Sequence, residues 1–197
     1  MKKNVLLTGG TGFIGKKLTQ LLLVSGYSVS ILSRSNKANT DGISYFQWDV
    51  DAGTIDEAAI LNADYVIHLA GENIGAKRWT TARKQAILDS REKSTQLLYT
   101  TLQKTNKKLD AFISASGVGI YGAITDEIIC TEATPAASDF LGTVCQKWEG
   151  ATASIHDLGI RTVQIRTGLV LGKGDGVLKQ LLPLFRLRLG RDRKSVV

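Results

Sequence analysis

The sequence predicts an α/β fold, a doubly wound parallel sheet with helices on both faces. Short apolar runs rich in β-branched residues alternate with longer segments of helical period, the pattern of β-α-β units whose strands are buried on both sides. A glycine cluster separates the first apolar run from the first helical segment. With 197 residues, 43% of them hydrophobic, the chain can fill one sizeable core.

Val5-Leu6-Leu7 is the first strand. Polar Asn4 precedes it and Thr8-Gly9-Gly10 follow, so the run is shorter than the ~7 apolar residues an export signal needs. Residues 13–24 form the first helix, with Leu18, Leu21 and Leu22 at core spacing and Gly26 as its stop. Val29-Ser30-Ile31-Leu32 and Ser44-Tyr45-Phe46-Gln47-Trp48 are the next strands, then comes a helix near residues 55–61 and the strand Tyr65-Val66-Ile67-His68-Leu69. Residues 80–105 carry Ile87, Ser90, Ser94, Leu97 and Leu98 on one side, as a crossover helix does. Ala111-Phe112-Ile113-Ser114 is a fifth strand. A loop with Gly117, Gly119, Gly122 and Pro135 leads to a helix over 138–156, opened by Ser138-Asp139, and to the strand Arg161-Thr162-Val163-Gln164-Ile165. A further helix begins around 176–185, after which residues 187–197 have no continuing period. The expected organisation is a nucleotide-binding domain over 1–175 and the start of a C-terminal substrate lobe over 176–197, that lobe largely missing. Residues 192–197 are read as a non-native tail, because their reverse translation admits a common sequencing-adapter sequence.

Composition removes several function classes from the expectation. No run of eighteen apolar residues occurs, and Cys130 and Cys145 are the only cysteines, so a cytoplasmic protein with reduced thiols and no membrane span is expected. Neither cysteine nor His68 or His156 falls in a metal-ligand spacing. The net charge of +7 is concentrated at the end, where Arg186, Arg188, Arg191, Arg193 and Lys194 against Asp192 supply more than half of it. No basic patch interleaved with aromatics stands elsewhere, so no nucleic-acid partner is expected.

The chemistry is carried by Thr8-Gly9-Gly10-Thr11-Gly12-Phe13-Ile14-Gly15, a G-x-x-G-x-x-G turn between strand and helix. Glycine permits the tight turn at Gly9 and close approach of a pyrophosphate at Gly12, and Gly15 lets the helix pack near the strand. The positive end of the helix then faces the phosphates, which makes this a Rossmann-type dinucleotide site. The plain alternative is a glycine turn that holds no ligand. At the end of the second strand, where an NAD site carries an acid for the ribose, stands Ser33-Arg34-Ser35. A guanidinium and a hydroxyl suit a 2′-phosphate, so NADP is favoured over NAD, with a solvated surface charge as the other reading of Arg34. Asp49 is placed either to approach the adenine or to form a strand-end turn.

With this turn, His68-Leu69-Ala70-Gly71 after the fourth strand and Ser114-Ala115-Ser116 through Tyr121-Gly122 after the fifth, the chain resembles an extended short-chain dehydrogenase/reductase over nearly its whole length. More narrowly, Ala70-Gly71-Glu72-Asn73-Ile74, Arg78-Trp79-Thr80, Arg83-Lys84, Ser90-Arg91, Phe140-Leu141, Val144-Cys145, Trp148-Glu149 and Arg166-Thr167-Gly168-Leu169-Val170-Leu171-Gly172 resemble the atypical YfcH-type family, often labelled nucleoside-diphosphate-sugar epimerase or SulA-like. Its members are longer, so a chain shortened at the C-terminus is expected. The resemblance implies cofactor contacts at Leu69, Ala70 and Gly71 in addition to the glycine turn.

Short-chain dehydrogenases use a Tyr-x-x-x-Lys pair in which the lysine lowers the phenol pKa. Aligned on Glu149, this chain has Leu141 and Cys145 at those positions, a departure the YfcH-type family shares. Replacement catalytic groups are sought in the loops at the strands' carboxyl ends. Ser116 corresponds to the family's substrate-facing serine or caps a turn, and Tyr121 is a proton donor or a packing aromatic. Glu72 and Asn73 are candidate substrate contacts, with a solvated carboxylate as the alternative for Glu72. His68 reads as a satisfied core histidine, Cys145 as a buried thiol, and the basic series Arg78, Arg83, Lys84 and Arg91 as a solvated helix face. The expected function is an NADP-dependent, epimerase- or dehydratase-like oxidoreductase acting on a small polar, nucleotide-linked substrate. The alternative is a catalytically silent NADP-binding sensor or partner-binding protein.

Overall fold

The computed structural model describes residues 2–40, 42–122, 127, 129–172 and 176–186. It divides into two compact units, residues 1–167 and 168–197. The first contains β1 (Asn4–Thr8), α1 (Phe13–Val24), β2 (Ser28–Ser33), β3 (Ile43–Asp49), β4 (Thr54–Ile55), α2 (Glu57–Leu61), β5 (Tyr65–His68), α3 (Thr81–Thr105), β6 (Ala111–Gly117), α4 (Phe140–Ala153) and β7 (Thr162–Thr167). Its seven-stranded sheet runs β4-β3-β2-β1-β5-β6-β7, parallel throughout except for the antiparallel β3–β4 pair.

Alternation along each strand separates two cores. Leu6, Leu32, Val66 and Phe112 point to one face, beneath Ala59 and Ile60 of α2 and Leu98 and Leu102 of α3. Val5, Leu7, Val29 and Ile31 point to the other, against Leu18, Leu22 and Leu23 of α1. Each of these aliphatic side chains, taken fully out of water, contributes about 2 kcal/mol. The predicted α/β sheet is therefore present, and the order reverses between β1 and β5, where such folds leave a crevice at the carboxyl edge.

Three sequence expectations need correction. Leu21, placed on the core stripe of α1, is 62% exposed, because the buried stripe runs through Gly15, Leu18, Thr19 and Leu22. The helix expected near 55–61 starts only at Glu57. Asp56 caps it by accepting from the Ala58 N–H at 3.0 Å, while Thr54 and Ile55 pair with Asp49 and Trp48 as the edge strand β4. Arg91, expected on a solvated face, lies on the buried side of α3 with Ile87, Ser94, Thr95 and Leu98.

The second unit contains β8 (Leu171–Gly172), which bridges to Gly176, and α5 (Gly176–Arg186), with Pro183 inside the helix. The expected boundary at 175/176 falls within this unit, and residues 192–197, the expected tail, lie outside the described residues. No helix among the described residues is long and apolar enough to cross a membrane, and no three His, Cys, Asp or Glu among them are grouped to hold a metal.

Candidate cofactor and active site

The glycine turn is fixed by close backbone contacts. Gly9 has φ +68°, and a Cβ there would lie 3.0 Å from the Leu69 carbonyl carbon after β5. A Cβ on Gly15 would lie 2.2 Å from the Gly9 carbonyl oxygen, so α1 packs onto the turn only because residue 15 has no side chain. Gly12 is the N-cap of α1 and provides no side-chain cap, and the first turn holds no acidic residue. The first-turn N–H groups are left for an outside acceptor, and the helix adds partial positive charge at that point. The backbone thus fits a pyrophosphate.

Beyond the turn opens a cavity of about 930 Å³. Of the residues predicted to bind cofactor, Gly9, Thr11, Gly12, Ser33, Arg34, Asp49, Leu69, Ala70 and Gly71 line it, and so does Glu72. Gly10, Phe13, Ile14 and Gly15 shape the turn without reaching the wall, and Asn73, Ser116 and Tyr121 are not on it. The Arg34 guanidinium is exposed and makes no ion pair among the described residues. Lys37, which the sequence reading passed over, lies on the same wall with its ammonium 5.7 Å from the Tyr45 ring. Asp49 combines its two readings: it faces the cavity, and its Oδ1 accepts from the N–H groups of Asp51 and Ala52 at 2.9 and 3.0 Å.

Behind Gly9, a buried polar chain ties β1 to β5 and α3. Thr8 Oγ1 accepts from the Leu69 and Ala70 N–H groups at 3.1 and 3.0 Å, so its hydrogen goes to His68 Nδ1 at 2.7 Å. Ser94 and Thr95 donate to the carbonyls of Ser90 and Arg91, so both accept from His68 Nε2 at 3.2 Å. His68 is therefore the neutral Nε2–H tautomer, a satisfied core histidine. Burial, assisted by the Arg91 charge, lowers its pKa from 6.5 to about 3. The unfolded chain takes up this proton and the folded chain does not. Stability should fall as pH drops from 6.5 towards about 3, by about 2 kcal/mol between pH 6.5 and pH 5. Denaturation at a series of pH values checks this, since His68→Gln should lose the slope in that interval; an unchanged slope would remove His68 as its cause.

The loop after β5 is held by two arginines of α3. Arg83 donates from Nη1 to Glu72 Oε2 at 2.6 Å and from Nη2 to the Asn73 carbonyl at 2.5 Å. The Arg83 hydrogen bond holds the Glu72 carboxyl below its usual range, with Arg34 and Lys77 adding to the effect. Asn73 Oδ1 accepts from the Gly75 N–H at 2.9 Å, so this side chain shapes its own turn. Arg91 donates from Nη1 to the carbonyls of Ile87 at 2.9 Å and Glu72 at 3.3 Å. Its guanidinium carbon lies 4.9 Å from the Trp148 ring centre. The basic face is thus partly an internal brace, because the guanidinium planes find carbonyls and an aromatic ring that outweigh solvation.

A second cluster forms where β6, β7 and α4 meet. Ser116 Oγ donates to Glu149 Oε1 at 2.6 Å, and Arg166 grips the same carboxylate from Nε at 2.9 Å and from Nη2 at 2.8 Å. Arg166 Nη1 reaches the Tyr121 hydroxyl at 2.8 Å, from a 3-10 turn over Val118–Tyr121. Burial alone would raise Glu149, but hydrogen bonds from Arg166 and Ser116 bring it below its usual range, and Glu149 in turn raises Arg166. The structure therefore joins the two candidate catalytic residues, Ser116 and Tyr121, through a pair to which the sequence reading gave no role. The signal was available in register, since Ser116 and Arg166 are direct partners across β6 and β7. On α4, Leu141 faces Gly119 and Cys145 faces Gly117. Burial pushes the Cys145 thiol up, as expected of an inert core cysteine.

A parallel sheet with a glycine turn opening a cavity at its switch point defines a dinucleotide-binding domain of the Rossmann type. The chain belongs to the NAD dependent epimerase/dehydratase family, whose family model matches residues 5–196. It is 36% identical over 189 residues to epimerase family protein ML0860 of Mycobacterium leprae, a match covering 96% of this chain and 60% of that protein. Among solved structures it is similar to human epimerase family protein SDR39U1 (isoform 2) with NADPH, at 34% identity and TM-score 0.77, over 95% of this chain and 61% of that one. The nucleoside-diphosphate sugar epimerase of Corynebacterium glutamicum aligns at 34% identity and TM-score 0.76, over 94% of this chain and 38% of that one. The chain thus spans about 60% of the length of the curated relatives it matches.

Proposed function

We propose that this chain is the NADP-binding part of an epimerase- or dehydratase-like oxidoreductase whose substrate is small, polar and nucleotide-linked. The observation that carries it is the β2 end of the cavity, where Ser33, Arg34 and Ser35 stand in place of an acid, with Lys37 beside them. Cations there match a 2′-phosphate and leave a bare 2′-hydroxyl without its usual acceptor. The human relative solved with NADPH supports the cofactor, and the Corynebacterium relative, a nucleoside-diphosphate sugar epimerase, supports the substrate class. In this reading residues 1–175 hold the cofactor and residues 176–197 open a substrate lobe. The finer assignment to the YfcH-type branch, whose members are longer, and the cytoplasmic location are parts of the same proposal.

NADP, when bound, supplies hydride transfer at its nicotinamide. Tyr121 acts as the proton donor: its oxygen accepts from Arg166, which leaves its own O–H for a substrate oxygen. Ser116, buried behind it, spends its hydrogen on Glu149 and so helps hold the carboxylate that positions Arg166 against Tyr121. Glu72, on the cavity wall, is the substrate contact of the loop after β5, and Asn73 shapes that loop.

Calorimetric titration with NADPH and NADH tests the cofactor. NADPH should bind more tightly, and Arg34→Ala should weaken NADPH by about tenfold or more while leaving NADH nearly unchanged. Binding of neither form would remove the cofactor reading. One observation favours the silent NADP-binding sensor instead: α4 presents Leu141 and Cys145, not tyrosine and lysine, to Gly119 and Gly117. Reduction of bound NADP+ to NADPH as the hydride of a ring alcohol is taken from any of a panel of nucleoside-diphosphate sugars separates the two.

A further inference from the structure

Arg91 is only 7% exposed, and its Nε has no hydrogen-bond partner. Its Nη1 is spent on backbone carbonyls, and no carboxylate among the described residues lies within ion-pair distance. Trp148 and Gly71 both lie against the guanidinium: the Trp148 ring centre is 4.9 Å from Cζ, and a Cβ on Gly71 would fall 3.1 Å from Cζ and 3.3 Å from each terminal nitrogen. Gly71 is itself a wall of the cavity, so no side chain of residue 71 stands between cation and cavity. Its buried neighbours are neutral: His68 is the Nε2–H imidazole, and the Cys145 thiol is pushed up by burial. Burial also pushes Arg91 down, yet a guanidinium keeps its proton in proteins. The Glu72 carboxylate reaches Arg91 electrostatically but is itself paired with Arg83 at 2.6 Å, so the buried guanidinium has no carboxylate of its own; such a charge is costly to fold and acts over several ångströms with little screening.

Resting on the cofactor reading above, the ligand's orientation follows from the walls. Arg34 and Asp49 take the adenosine half on the β2–β3 side, and the amino end of α1 takes the pyrophosphate, so the nicotinamide half lies towards β5 and β6, past Gly71. We propose that Arg91 supplies the fixed positive charge at the nicotinamide side of the site, the charge that a lysine in place of Cys145 would otherwise bring, and that it biases the chain towards the reduced cofactor. The nicotinamide ring carries a positive charge when oxidised and none when reduced, so a nearby buried cation repels only the oxidised form. Arg34 and the glycine turn meet the same phosphates in both forms, and their contributions cancel in the ratio of the two affinities.

The test is the ratio of NADP+ to NADPH dissociation constants, measured by calorimetry on the full chain. The wild-type ratio should be about 10. Arg91→Lys, which keeps the charge, should retain most of it, and Arg91→Met should bring it close to 1 by tightening NADP+ relative to NADPH. A ratio unchanged in Arg91→Met, with both forms still bound, overturns the role of Arg91 and leaves the cofactor reading standing. Absence of binding to either form by the wild-type chain overturns the cofactor reading itself. Should Arg91→Met fail to fold, the wild-type ratio decides alone, and equal affinities overturn the proposal.

Discussion

Gly15→Ala is expected to cost about 3 kcal/mol of stability and to weaken NADPH binding by about a hundredfold. The added Cβ would sit 2.2 Å from the Gly9 carbonyl oxygen and 2.6 Å from the Gly10 Cα, both backbone atoms that no rotamer change can move aside. The amino end of α1 must lift off the turn, which spoils the packing of Leu18 and Leu22 and swings the free N–H groups away from the phosphates. Gly12→Ala separates the two effects: its Cβ would meet only the Gly9 oxygen, at 3.2 Å, so it should melt close to the wild type while still weakening NADPH, whose pyrophosphate approaches there. Thermal melting and NADPH titration read both effects; a Gly15→Ala protein that melts and binds like the wild type would show that the turn is not built as described.

The second large effect is expected at Glu149. Its side chain is 12% exposed and that of Arg166 21%, so this pair is screened far less than the surface pairs. Glu149→Ala leaves Arg166 facing the Tyr121 hydroxyl and the Glu132 carbonyl with no counter-charge, and frees the Ser116 hydroxyl. Losing one partner of such a pair costs about 3–5 kcal/mol. Combining Glu149→Ala with Arg166→Met should recover part of the loss, because the stranded cation is then gone. Urea denaturation of the two single variants and the double variant measures the coupling, and strictly additive losses would show that the two residues do not act as a pair.

What the sequence made legible was what is encoded locally. The strands Val5-Leu6-Leu7 and Ala111-Phe112-Ile113-Ser114, the long crossover helix and the glycine turn each carry their signal within a few residues, and each stands where expected. Two-residue β4 has no period to read, and its pairing with Trp48 and Asp49 depends on a turn whose geometry Asp49 sets. Arg91 was misplaced for a different reason. A guanidinium on a helix reads as solvated unless its ring partner, here Trp148 on another helix, is known to arrive. The Glu149–Arg166 pair likewise joins α4 to β7, and only the register of β6 against β7 brings Ser116 opposite Arg166.

The central place of β1 has a consequence for how the chain is made. β1 leaves the ribosome before both strands it pairs with; β2 follows soon on one side, but the other edge waits for β5, which begins at Tyr65. During that interval a half-sheet of β1, β2 and β3 presents an open strand, Asn4 to Thr8, with the apolar run Val5-Leu6-Leu7 at its centre. Such an edge templates pairing with other nascent chains. Elongation that slows before residue 65 should therefore yield aggregates seeded by a strand that ends up inside the sheet, between β2 and β5.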